Sequence, residues 1–197
     1  LTGSTHFAVP NILFGTNGEI EWGATAGPLD VNDYYQLKLN PENPQQYWKN
    51  DAWKDMHVRS ENFKVKGQAD VKTDIYESDY GVVSQIDLTN NKAYAFNRSW
   101  KGKEIQTLMA WTNSTKAQNH DEWLKQAENV ATTINWYYSD KKGNIGYVSP
   151  GYLPIRQQNH DERVPAIGDG TMDWTGVRPF ADVPQTYNPE QGWIANW

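Results

Sequence analysis

The sixteen residues 132–147, T-T-I-N-W-Y-Y-S-D-K-K-G-N-I-G-Y, constrain this chain more than any other stretch. Thr132, Thr133, Ile134, Trp136, Tyr137 and Tyr138 are β-branched or aromatic, and such side chains suit a pleated, mostly buried surface. Asp140-Lys141-Lys142-Gly143 is turn chemistry, with Gly143 free to take the positive φ that closes a hairpin. Residues 144–148 form the return strand. The pattern predicts a hairpin at the centre of a sheet, on which the rest of the chain packs.

Upstream, residues 6–14 are apolar around Pro10 and read as an edge strand or loop. The Gly15-Thr16-Asn17-Gly18 turn leads into a strand over 19–25, with Ile20 and Trp22 on one face and Glu19 and Glu21 on the other. Ala26-Gly27-Pro28 breaks that strand. Asp30-Val31-Asn32-Asp33 is a short acidic loop, overlapping a strand over 32–39 that puts Tyr35, Leu37 and Leu39 on one face. Three further hairpins follow. They join 47–48 to 52–57, then 59–66 to 69–77 across Gly67, then 81–87 to 92–100. The period then changes. Residues 104–112 carry Ile105, Leu108, Met109 and Trp111 at helical spacing, and 120–131 carry Trp123, Leu124, Ala127, Val130 and Ala131. Asn119 or Asp121 can cap the second helix. Residues 150–197 lack periodicity and read as ordered irregular chain around the sheet. The fold class is α+β, mostly β, a single domain over 1–197 with a β-rich insertion near 45–100 and two helices before the central hairpin.

A hydrophobic fraction of 38%, with ten Trp and eleven Tyr, supplies an aromatic-heavy core. The net charge of −6 argues against nucleic acid or an anionic membrane as partner. No apolar run reaches the length of about 18 residues that a spanning helix needs. The chain has no Cys, which excludes disulfides, thiolate nucleophiles and zinc–thiolate sites. It contains no Gly-x-Ser-x-Gly elbow, Walker loop or dinucleotide fingerprint. His6, His57, His120 and His160 lack metal-ligand spacing and read as surface or structural histidines. Two carboxylates and a carbonyl in Asp30-Val31-Asn32-Asp33 are hard oxygen donors of the kind calcium takes, or else a solvated turn. Tyr and Trp beyond those needed for the core could stack on sugar rings or line an acyl pocket. A noncatalytic, aromatic-rich carbohydrate- or peptide-binding module therefore stands as an alternative, and it requires exposed, coplanar aromatics.

The central stretch resembles the penicillin acylase family of N-terminal-nucleophile hydrolases. Other stretches agree in order and approximate spacing: P-N-I-L-F-G-T-N-G at 10–18, W-G-A-T-A-G at 22–27, the acidic loop at 30–33, and L-M-A-W at 108–111. G-Y-L-P-I-R at 151–156, D-W-T-G at 173–176 and Y-N-P-E-Q-G-W-I-A-N-W at 187–197 complete the set. The resemblance covers essentially the whole chain.

That resemblance implies a partial αββα sandwich and a precursor that cuts itself to expose an N-terminal Ser on its β-chain. The Ser is the nucleophile and its own α-amine the base. One oxyanion donor matches the backbone N–H of Ala26, and the other is an Asn side chain falling just past Trp197. Phe14, Ala24, Trp111 and Ile134 match positions that line the acyl pocket. Asp30, Asn32 (through its carbonyl) and Asp33 match a structural Ca²⁺ loop, with Glu162 standing where relatives commonly have a Pro. The expected reaction is cleavage of the acyl side-chain amide of penicillin-type, arylacetyl substrates, with an acyl-homoserine-lactone acylase as the alternative. The chain reads as an internal fragment of the β-chain, inactive alone because the nucleophile lies outside it. Its partners are the α-chain and the remainder of the β-chain, and its Ca²⁺ affinity is weak or absent. Family membership implies a periplasmic or secreted protein.

Overall fold

The computed structural model describes residues 1–5 and 11–196. The expectations for His6 and for the chain about Pro10 lie outside the described residues. In order, the strands of the first half are β1 (Thr2–Ser4), β2 (Phe14–Thr16), β3 (Ile20–Ala26), β4 (Asn32–Asn40), β5 (Asn43–Lys49), β6 (Ala52–Asp55), β7 (His57–Phe63), β8 (Val71–Ser78), β9 (Gly81–Asp87) and β10 (Lys92–Arg98). Helices α1 (Glu104–Ser114) and α2 (His120–Ala127) follow, then β11 (Ile134–Asp140), β12 (Ile145–Val148), β13 (Pro154–Ile155), β14 (Ala166–Ile167), β15 (Gly176–Val177) and β16 (Gln185–Tyr187).

The chain divides into two compact units. The first takes in residues 1–31, 99–154 and 177–197, and the second 32–98 and 155–176. The β-rich segment expected near 45–100 belongs to the second unit, which begins earlier because β4 pairs with both β5 and β10.

The first unit is a six-stranded sheet in the order β1-β2-β3-β11-β12-β16. The β11–β12 hairpin is interior, with β3 on one side and β16 on the other, and Gly143 closes it at φ +88°. The two-residue alternation of a strand sends Ile20 and Trp22 of β3, and Ile134, Trp136 and Tyr138 of β11, to one face. Ala110 of α1 and Trp123 and Ala127 of α2 join them in one buried cluster. The Trp123 ring lies 5.3 Å from both Trp136 and Tyr138. Asn119 caps α2 by accepting from Glu122 N at 3.0 Å. The helix ends at Ala127, short of the expected 131, yet Val130 and Ala131 stay buried beyond it.

The second unit is a meander in the order β6-β5-β4-β10-β9-β8-β7, with β14 parallel to β4. Tyr35, Leu37 and Leu39 of β4 share its core with Ala93 and Ala95 of β10 and with Tyr47 and Tyr80. Asn50 and Asp51, at φ 51° and 59°, make the two-residue turn that joins β5 to β6. Residues 150–197 are less irregular than their sequence suggests: each unit receives one strand from them, β16 in the first and β14 in the second.

Candidate functional site

Phe14, Ala24, Trp111 and Ile134 come from β2, β3, α1 and β11, and all four line one cavity of about 220 Å³. Leu13, Thr25, Ala26 and Trp136 complete its wall. Ala24 and Ile134 reach it because they follow the core-facing alternation of their strands. Trp111 packs against Trp136 with ring centroids 6.3 Å apart. Phe14 is 42% exposed and stands at the open side, whereas Ile134 is 9% exposed. The lining is almost wholly apolar, so the cavity selects by burial and shape.

Ala26, the last residue of β3, sits on this wall opposite Ile134 of β11. Two features hold the backbone around it. A Cβ added to Gly27 would come within 2.4 Å of Ile134 N and 2.2 Å of Thr133 Oγ1, so only glycine fits there. Behind the sheet, the Asn135 side chain donates to Ala26 O at 2.8 Å and to Thr25 Oγ1 at 3.1 Å. Its Oδ1 accepts from the Tyr147 hydroxyl at 2.7 Å. Neither Asn135 nor Tyr147 was singled out in the sequence. The available signal is Asn135 itself, a polar residue between Ile134 and Trp136 that is only 5% exposed.

The acidic segment does not form one loop. Asp30 precedes β4 in the first unit, while Asn32 and Asp33 are the opening residues of β4 in the second, where Asp33 lies on the buried face with Tyr35 and Leu37. Asp33 Oδ2 accepts from Arg156 Nε at 2.8 Å and from Trp174 Nε1 at 2.6 Å, and Oδ1 lies 3.3 Å from His160 Nε2. Arg156 also reaches Glu162 Oε1 at 3.3 Å. A guanidinium in contact with both carboxylates opposes a divalent cation there. Among the described residues no group of three or more His, Cys, Asp or Glu is placed to hold a metal. Calcium takes six to eight oxygens, and these donors do not make that site by themselves.

The other histidines among the described residues are structural or exposed. His57 is exposed on β7. His120 packs at the start of α2 among Tyr138, Trp123 and Tyr187, with its ring 4.0 Å from that of Tyr187. Burial pushes its pKa below the usual histidine value, partly offset by Asp121, 3.6 Å away.

The penicillin amidase family model matches residues 1–197. The chain belongs to the penicillin amidase family. Penicillin G acylase of Escherichia coli is 48% identical over 198 residues, a match covering all of this chain and 23% of that protein. A thermostable penicillin G acylase from Alcaligenes faecalis superimposes with a TM-score of 0.95 at 54% identity, covering 98% of this chain and 35% of that one. An acyl-homoserine lactone acylase QuiP of Pseudomonas fluorescens is 29% identical over 199 residues, covering 98% of this chain and 24% of that protein. The chain thus spans about a quarter of the length of these curated relatives. Its mostly β architecture with two helices is that of the matching part of a penicillin acylase, and membership makes amide hydrolysis by an acylase the family chemistry. No helix among the described residues is long and apolar enough to cross a membrane.

Proposed function

We propose that this chain is the part of a penicillin acylase β-chain that builds the acyl pocket and one half of the oxyanion site. The observation that carries the reading is the convergence of Phe14, Ala24, Trp111 and Ile134 on one apolar cavity with Ala26 on its wall. The cavity, at about 220 Å³, exceeds the ~150 Å³ that accepts a benzene ring, which suits an arylacetyl group. A homoserine-lactone acylase needs a deeper pocket for its longer chain. The binding-module alternative needs exposed coplanar rings, and those found here are otherwise arranged. Trp48 and Trp53 meet edge-on at 74°, and the stacked pair Tyr35–Tyr80 is buried.

In the proposed reaction an N-terminal Ser, supplied from outside these residues, attacks the amide carbonyl carbon while its α-amine takes the hydroxyl proton. The carbonyl oxygen gains the electron pair and is met by the Ala26 N–H. The C–N bond then breaks and the amine leaves with that proton. Water hydrolyses the resulting ester and releases the acid. The first unit's helix-covered sheet supplies two layers of the αββα sandwich. The 197 residues alone have no nucleophile for this step and do not turn over. Processing of a precursor and a periplasmic or secreted location follow from the same reading. A structural calcium belongs to it only if oxygens from the longer protein displace Arg156 from Asp33, and no step passes through it.

The test is the complete reading frame. It should give two chains by intact mass, the larger beginning with Ser, and a product that hydrolyses phenylacetyl amides in preference to octanoyl or decanoyl homoserine lactones. A single uncut chain without amidase activity sinks the reading. A preference for the long-chain lactones replaces it with the homoserine-lactone alternative.

A further inference from the structure

We infer that Asn135 is a positioning residue for the oxyanion site, acting through the Thr25–Ala26 peptide from the face of the sheet opposite the acyl cavity. The inference rests on the proposed role of the Ala26 N–H and adds to it what fixes that N–H in place.

Asn135 stands directly across from Thr25 in the β3–β11 register. Strand alternation sends Ile134 and Trp136 to the cavity side and Asn135 to the other, so Asn135 is absent from the cavity wall. Its amide reaches two groups that bracket one peptide plane: Thr25 Oγ1 before it, at 3.1 Å, and Ala26 O after it, at 2.8 Å. The plane between them carries the Ala26 N–H. The orientation of the amide is not free. A backbone carbonyl only accepts, so the NH₂ must face Ala26, which leaves Oδ1 for the Tyr147 hydroxyl at 2.7 Å. Both of its Nδ2 contacts and its Oδ1 are thereby committed, inside a site where Asn135 is 5% exposed. Thr25 Oγ1 also accepts from Asn196 Nδ2 at 2.8 Å. The Thr25 hydroxyl therefore joins the peptide of one proposed donor to the segment that leads to the other.

A buried amide with this many fixed bonds at the end of an apolar strand is not needed for packing, which Ile134 and Trp136 already provide on the other face. What it does is hold the last peptide of β3 where the sheet ladder runs out. Preorganised donors owe their effect to such fixation, and small displacements of a donor cost rate rather than affinity.

The experiment uses the full-length enzyme and three substitutions: Asn135→Asp, Thr25→Val and Thr25→Ser. Asn135→Asp keeps the shape and the acceptor for Tyr147 but removes both N–H bonds. Rates on a phenylacetyl anilide are measured beside the inhibition constants of phenylacetate, which reads the acyl cavity, and of benzylboronate, whose boron takes the place of the carbonyl carbon and reads the oxyanion site. Asn135→Asp should lower kcat about 10–100-fold and weaken the boronate in step, with KM and phenylacetate inhibition held within about twofold. Thr25→Val should lower kcat about 3–10-fold, and Thr25→Ser should restore it. The inference is overturned if kcat stays within twofold in Asn135→Asp, or if phenylacetate affinity falls as far as kcat, since that marks a collapsed pocket. Should Asn135→Asp fail to mature, the Thr25 pair decides, because Thr25 is exposed and the isosteric change leaves the core untouched. Failure of the acylase reading itself shows earlier and separately, as a wild-type protein inactive on the anilide.

Discussion

Ala24 shares with Ala26 the smallest side chain on the cavity wall, which Trp111 and Ile134 also line. Replacing it with Phe adds a ring to about 220 Å³ of space. Ala24→Phe in the full-length enzyme should raise KM for phenylacetyl amides about tenfold or more while sparing acetyl or propionyl amides, since only the larger acyl group loses its apolar burial. Steady-state kinetics across acyl lengths checks this; an unchanged profile means that the cavity does not hold the acyl group. His120 gives a second prediction at this scale. Its folded pKa is lowered, so the folded protein resists a proton that the unfolded chain takes up near pH 6.5. Stability is therefore full above about pH 6.5 and declines as pH falls below it. His120→Phe keeps a ring among Tyr138, Trp123 and Tyr187 and should flatten that decline, read as Tm between pH 7.5 and 5.5.

At the level of elements, alternation in β4 and β3 was legible because a period of two needs only side-chain type: Tyr35, Leu37 and Leu39 go inward, as do Ile20 and Trp22. The hairpin turn closed by Gly143 and the cap of α2 were legible for the same local reason. The missing information was set by partners far along the chain. Asp33 read as a loop ligand because nothing local reveals Arg156 and Trp174, more than 120 positions away, which make it a buried strand residue. The role of Asn135 carries no local signal because its bonds to Thr25 and Ala26 depend on the β3–β11 register. In β16 only Thr186 is half-buried, between exposed Gln185 and Tyr187, so three residues offer no buried alternation to read. The cap carries a test of its own. Asn119→Ala removes the acceptor for Glu122 N and should cost about 1 kcal/mol, seen in urea denaturation as a lower midpoint at constant slope.

On the scale of the whole molecule, each unit carries its own core. Trp123 is fully buried in the first, and Tyr35 is fully buried and stacked 4.2 Å from Tyr80 in the second. The second core also encloses Lys49, whose Nζ lies 3.0 Å from Asp173 and 4.2 Å from the Tyr80 ring centre. Trp123→Ala deletes a side chain that touches Trp136 and Tyr138 and should cost about 3–5 kcal/mol. Amide hydrogen exchange by mass spectrometry should then show lost protection in β3, β11 and β12 with β4 and β10 unchanged. Equal loss in both sheets would mean that the two cores open as one.

The β3–β11 ladder brings Asn135 against Ala26 across 109 positions of chain. A ribosome adding about 5–20 residues per second takes on the order of 5–20 s to cover that distance. For that time β3 has β2 on one side but no β11 on the other, and the helices that bury Ile20 and Trp22 are still to come, while the β4–β10 strands emerge and can zip through their neighbouring hairpins. The late strand sets the pace: a newborn chain holds one sheet already paired through its hairpins, short only of β14, and one apolar strand waiting for its second neighbour, and a chaperone that shelters exposed strands has its work there.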